Sequence, residues 1–79
     1  MKQGSITKIV KTFGSRWGKI RPLGDPREIF FNAASFDEAV DFASLEVGQD
    51  VEFVERADHA TGSYAWHVVV ATASPVVRV

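Results

Sequence analysis

No cysteine occurs anywhere in this chain, so neither a disulfide nor a thiolate metal site holds it together. Histidine stands only at His59 and His67, without ligand spacing such as H-x-x-x-H. Asp58-His59 reads as a loop pair with no nucleophile to serve. Gly14 and Gly18 are too few and too scattered to form a phosphate-cradling loop. No segment approaches the ~20 apolar residues of a membrane span. The N-terminus lacks the apolar run of a signal peptide. These absences leave catalysis, metal or cofactor binding and membrane insertion without a sequence feature. The expectation is a non-enzymatic cytoplasmic protein with no cofactor.

What remains is one small domain. The chain has 79 residues, 46% of them hydrophobic, enough for a core and too many for a disordered tail. No repeat, linker or low-complexity tract divides it. The net charge of −1 hides an asymmetry. Residues 1–34 carry seven Lys and Arg against two Asp and Glu, and residues 35–79 carry two against eight. A basic face attracts a polyanion even at near-zero net charge, because screening at physiological salt acts over roughly 8 Å.

The basic half also holds aromatic strands. Ser5 to Phe13 is rich in Ile, Val, Thr and Lys and predicts a strand. Gly14-Ser15 predicts a turn, and Arg16 to Arg21 a second strand stopped by Pro22. Leu23-Gly24-Asp25-Pro26 is composed of turn formers, and Arg27 to Asn32 predicts a short third strand. Ser35, followed three residues later by Glu38, has the capping-box pattern. With Phe36, Val40 and, less exactly, Phe42 or Ala43 near one helical face, it predicts one or two helical turns. Val47-Gly48-Gln49 predicts a turn. Asp50 to Arg56 alternates as a strand with one wet face, and Tyr64 to Ala73 is the final strand. The domain is expected over residues 1–73, with 74–79 as a tail. Five strands with a longer crossover between the third and fourth predict an all-β fold. It would be a five-stranded antiparallel Greek-key barrel of the OB type, with a short helical turn between strands 3 and 4.

Successive strand side chains point to opposite faces. If Ile20, Ile29 and Phe31 face inward, Phe30 faces out, and Trp17 and Lys19 share the face opposite Gly18 and Ile20. Ile6, Val51 and Val68 complete the expected interior, joined by Phe36, Phe53 and Ala65. Exposed rings beside cations suit nucleobases and phosphates, because a ring stacks on a base and a cation answers the backbone. The same exposed Trp17 and Phe30 suit a protein partner as aromatic anchors. Asp37, Glu38 and Asp41 read as a solvated helical face whose charge would limit a nucleic-acid footprint on that side.

The ordered motifs resemble those of the cold-shock domain family. Gly4-Ser5-Ile6 is similar to the family's opening G-x-V. Ser15-Arg16-Trp17-Gly18-Lys19-Ile20 stands in the place of K-G-F-G-F-I, and Ile29-Phe30-Phe31-Asn32-Ala33 in that of V-F-V-H-F. The run Asp41-Phe42-Ala43-Ser44-Leu45-Glu46-Val47-Gly48-Gln49-Asp50-Val51-Glu52-Phe53 resembles G-F-x-x-L-x-x-G-Q-x-V-x-F. Gly62-Ser63-Tyr64-Ala65-Trp66-His67-Val68 echoes G-P-Q-A-x-x-V. The resemblance implies binding of single-stranded nucleic acid, RNA favoured over DNA, in RNA chaperoning or in regulation of transcription or translation. It assigns stacking to Trp17, Phe30 and Phe42, with Tyr64 replacing a lost ring. Lys8, Lys11, Arg16, Lys19 and Arg21 would track phosphates, and Asn32 would hydrogen-bond a base edge. The chain departs from the family at Lys8, Lys19, Asn32 and Ala33, where aromatic rings or a histidine are usual. Those losses weaken stacking, worth ~1–3 kcal/mol per base, and lysines in their place shift the balance toward phosphate contacts. The alternative implied by the lost rings is a degenerate cold-shock-like fold that docks a protein. Either use is compatible with a monomer or weak dimer.

Overall fold

The computed structural model describes residues 1–12, 14–37, 42–58 and 62–71. Five strands form a closed barrel: β1 (Lys2–Val10), β2 (Trp17–Pro22), β3 (Ile29–Asn32), β4 (Asp50–Asp58) and β5 (Gly62–Val70). Around the barrel the order is β1-β2-β3-β5-β4, and β4 pairs back onto β1. This is an OB-type barrel, which leaves little free sheet edge. One pairing differs from the expected all-antiparallel sheet. β3 meets β5 in parallel at Phe30 and Tyr64, and an isolated parallel bridge joins Phe36 to Val68. A closed ring of five strands cannot alternate direction at every step, so with the other four neighbouring pairs antiparallel β3 and β5 must run side by side in one direction. No helix among the described residues is long and apolar enough to cross a membrane.

The expected helical turn is a pair of 3-10 turns, Ala33–Ser35 and Phe42–Ser44. Residues 38–41, including Glu38, Val40 and Asp41, lie outside the described residues, as do Phe13, His59 and the expected tail. The capping box exists but begins three residues earlier than expected. Asn32 is the N-cap, its Oδ1 accepting from the Ala34 N–H at 2.9 Å. Ser35 is the third residue of the turn, and its Oγ accepts from the Asn32 N–H at 3.0 Å. Ser35 is buried, so this reciprocal pair also satisfies a hydroxyl that would otherwise be stranded in the core.

Ile6, Ile20, Ile29, Phe31, Val51, Phe53, Ala65 and Val68 are all buried, as expected. Phe36 packs at the core's edge, its ring edge-on to Phe31 at 6.1 Å. Phe42 and Leu45, brought in by the second 3-10 turn, complete the same cluster. Each fully buried side chain of this size contributes roughly 1.5–3 kcal/mol through removal from water.

Two irregularities re-aim side chains that strict alternation would misplace. In β1, Ile6 opposes Ile20 and Lys8 opposes Lys19, so Thr7 is an extra residue. Without it Ile6 and Lys8 would share the inner face. With it Lys8 turns to solvent and Ile9 turns toward the core. In β5, Trp66 opposes Val54 and Val69 opposes Glu52, which leaves His67 or Val68 in excess. His67 takes up the distortion at φ 53°, so Ala65 and Val68 both point inward although three residues apart.

At one end of the barrel, charge ties four segments together. Glu55 on β4 pairs with Lys2 of β1 and with Arg27 before β3, and accepts from the Ser63 hydroxyl of β5 at 3.0 Å. Arg27 in turn grips Asp25, with Nη2 2.7 Å from Oδ2. The Arg27 side-chain hydrogen bonds hold the Asp25 carboxyl down at about 2. The Lys2 ammonium, with Ser63 and Arg27 also donating, holds Glu55 below its ordinary range against the opposing effect of burial. Carboxyls depressed in the folded state favour folding above their unfolded values, about 4. That stability is present at neutral pH and drains as pH falls below about 4, for Asp25 through about 2. Thermal melts of the parent and of Glu55→Gln across that window should therefore show a steep acid loss in the parent and a shallower one in the variant. Parallel acid limbs would mean that the Glu55 carboxylate does not contribute to stability.

Candidate nucleic-acid interface

The outer face of the barrel is organised by register. Lys8 on β1 opposes Lys19 on β2, Lys19 opposes Phe30 on β3, Phe30 opposes Tyr64 on β5, and Tyr64 opposes Arg56 on β4. One cross-strand row thus reads cation, cation, ring, ring, cation. A flanking row sets Trp17 opposite Asn32, and Trp66 follows two residues after Tyr64 on the same face.

The rings touch in succession. Trp17 stacks against Phe30 with centroids 5.7 Å apart and planes at 22°. Phe30 lies 5.5 Å from Tyr64, and Tyr64 meets Trp66 edge-on at 4.9 Å. The Lys8 ammonium sits over the Trp17 ring, 5.2 Å from its centroid. Cation–π attraction at an exposed site is worth about 0.5–1 kcal/mol, enough to bias Lys8 toward the ring row.

Gly18 permits this arrangement. A Cβ there would collide with the Lys8 carbonyl oxygen and would lie 2.7 and 2.9 Å from two carbons of the Phe31 ring. Phe31 therefore fills the space directly under the strand that carries Trp17 and Lys19.

The expected site residues separate into three groups. Lys8, Trp17, Lys19, Phe30 and Asn32 converge on the outer face. Lys11, Arg16 and Arg21 lie around it. Lys11 donates from Nζ to the Ala43 carbonyl at 2.7 Å, which draws it toward the second 3-10 turn. Arg16 is exposed just ahead of Trp17, and Arg21 is partly answered by Glu28 at 3.9 Å. Phe42 and Tyr64 depart from expectation. Phe42 is only 4% exposed and packs on Phe31 at 6.0 Å inside the core. It cannot present a ring to a base, because its turn packs it into the core cluster against Phe31. Tyr64 faces outward but is 8% exposed, covered by Phe30 and Trp66. It fills the row rather than offering an open platform.

Tyr64 also acts through its hydroxyl, which donates to Asn32 Oδ1 at 2.6 Å. That oxygen already accepts from the Ala34 N–H. Two donors on one carbonyl fix the amide, and its NH2 is left as a donor. Asn32 is thus equipped to address acceptor atoms on whatever approaches the rings.

The charges are sorted by position. Lys2 and Arg27 are bound into the network around Glu55. Lys8, Lys19, Arg16 and Arg56 form no ion pair with any described carboxylate. Asp37, expected to be a free repelling charge, instead accepts from His67 Nδ1 at 2.7 Å. Among the described residues, no three His, Asp or Glu side chains converge where a metal could sit.

Sequence reasoning missed Trp66 and Arg56. Trp66 is 39% exposed, and its signal was the i, i+2 spacing from Tyr64 about an inward Ala65. Arg56 had no signal, since only the β4–β5 register brings it beside Tyr64.

Comparison of the chain with protein-family models and with curated protein sequences returns no match.

The Gly18 contact yields a direct test. Gly18→Ala should destabilise the fold by about 1–3 kcal/mol through overpacking against Phe31, read as a lower urea midpoint. An unchanged midpoint would mean that Phe31 does not lie under Gly18.

Proposed function

We propose that this chain is a single-stranded nucleic-acid-binding module of cold-shock type, acting passively. The observation that carries this reading is the in-register pair Lys8 and Lys19 beside the stacked Trp17 and Phe30. Like charges directly opposite across a strand pair are destabilising. Neither lysine has a described carboxylate to relieve it. A polyanion running over the pair would relieve both at once, while bases reached the adjoining rings. In this reading the phosphates lie over Lys8 and Lys19, with Arg16 and Arg21 on the flanks. Bases stack on Trp17 and Phe30, and the Asn32 amide donates to a base edge. The motif resemblance favours RNA over DNA.

Trp17→Ala and Phe30→Ala should each weaken binding of a labelled oligouridine by about 1–3 kcal/mol, because each removes a stacking platform. Circular dichroism should show both variants folded. Parent-like affinity in both would exclude stacking on these rings.

The lysines predict salt dependence. For single strands, log K falls with log salt at a slope of about −0.7 per phosphate contact. Replacing both lysines, Lys8→Gln with Lys19→Gln, should flatten the slope by about 1.4. Identical slopes would remove the lysines from the site. Absence of saturable binding by the parent even at low salt would favour the reading in which Trp17 and Phe30 anchor a protein partner.

A further inference from the structure

We infer that the nucleic-acid face does not end at Tyr64 but continues along β5 and onto β4, where Trp66 of β5 supplies a further stacking ring and Arg56 of β4 a further phosphate contact. This rests on the reading just given and extends it to a strand that nothing in the motif resemblance assigns.

Three observations carry it. The first is continuity, since Trp66 touches Tyr64 at 4.9 Å and so prolongs the chain of rings from Trp17 without a break. The second is access. Trp66 is 39% exposed while Tyr64 is 8% exposed. Beyond Phe30, Trp66 is therefore the next ring with an open surface. The third is charge. Arg56 opposes Tyr64 in register, is exposed, and forms no ion pair with a described carboxylate. It lies in a half of the sequence where acids outnumber bases eight to two, yet the register sets it at the end of the ring row. The cross-strand row thus has cations without an ion pair to any described carboxylate at both ends, Lys8 and Lys19 on one side and Arg56 on the other.

That arrangement selects an extended strand rather than a single nucleotide. A track across all five strands presents rings flanked by cations at both ends, so one strand can lay its bases on the rings while phosphates on either side reach the cations. Site sizes on barrels of this class run from about 4 to 16 nucleotides, and the β5–β4 half would place this domain above the minimum. Val54, opposite Trp66, adds apolar surface beside the indole, and Glu52, opposite Val69, bounds the track with negative charge.

The test uses the whole chain and labelled oligouridine of about eight nucleotides, within the range such barrels cover. Fluorescence anisotropy is read across salt for the parent, Trp17→Ala, Trp66→Ala and Arg56→Gln. The expected result is roughly tenfold weaker binding for Trp66→Ala, within the range for losing one stacked base. Arg56→Gln should flatten the salt slope by about 0.7. In Trp17→Phe, Trp66 is the only indole, and its fluorescence should change saturably with the anisotropy midpoint. If Trp17→Ala weakens binding while Trp66→Ala and Arg56→Gln match the parent, the face ends at Tyr64 and the extension is wrong, with the proposed function intact. If the parent itself shows no saturable binding, the proposed function fails and the extension with it. Arg56 is exposed, so its slope decides the question even if Trp66→Ala fails to fold.

Discussion

A methyl group at position 18 would press on the Phe31 ring from 2.7 Å and on the Lys8 carbonyl. The backbone of β2 therefore lies almost directly on one of the largest side chains of the core. Phe31 is fully buried, with Phe36 and Phe42 against its ring. With Phe31 fixed inside, the pleat of β3 leaves Phe30 no direction but outward. Once Phe30 is outside, the register of β2 brings Lys19 beside it and Trp17 diagonally across it. The outer ring row is in this sense a consequence of the inner one. A bulkier residue than glycine at position 18 would push β2 away from Phe31 and from the rings it aligns.

The bulges then decide which charges reach that face. Thr7 is the extra residue of β1, and its hydroxyl contacts the Lys19 carbonyl at 3.4 Å. The bulge turns Lys8 outward while keeping Ile6 and Ile9 toward the core. A β1 of strict alternation would have either a lysine in the core or an isoleucine on the face. His67 plays the matching part on β5. Its positive φ lets Val68 rejoin the interior after an outward Trp66, and its imidazole ties that kink to Asp37. Sharp changes of facing are thus concentrated at single residues, and the rest of each strand stays regular.

These bulges also explain what was legible in the sequence. The five strands, the inward set around Phe31 and the outward turn of Phe30 follow from alternation, which is local and survives folding. The outward facing of Lys8 was not legible from alternation, because Ile6 and Lys8 share parity, and only the motif resemblance placed it. Phe42 was ambiguous for a related reason. A ring in a crossover has no strand parity, and whether it caps the core or lines a face depends on how the turn folds over the barrel. Tyr64 was read correctly for side but not for access, since burial by Phe30 and Trp66 is a property of three strands at once. Arg56 belonged to an acidic stretch and became interesting only through its register with Tyr64. In each case the missing information was pairing between strands distant in sequence.

The geometry also ranks the forces that would act on a bound strand. The rings of the face are already in contact with one another, and aromatic pairs of this kind are worth about 0.5–1.5 kcal/mol beyond burial. A base that adds to the outer surface of Trp17 or Phe30 keeps those contacts, whereas one that inserts between them forfeits part of that energy. Stacking is therefore confined to the open surfaces, which reduces its share of the total. The cations have the opposite character. Lys8 and Lys19 face each other with no described carboxylate between them, and the Trp17 ring offsets only part of the repulsion on Lys8. Any anion placed between them gains from both and removes their mutual cost. Meanwhile Lys2 and Arg27 are held at the barrel's end by Glu55 and Asp25, so they add little to the field over the rings. The positive potential is thereby concentrated where the aromatic surface is open. On the proposed reading, charge selects the class of ligand and brings it to the face, and the few open rings then choose single strands over paired ones, because only unpaired bases can turn a free surface toward them.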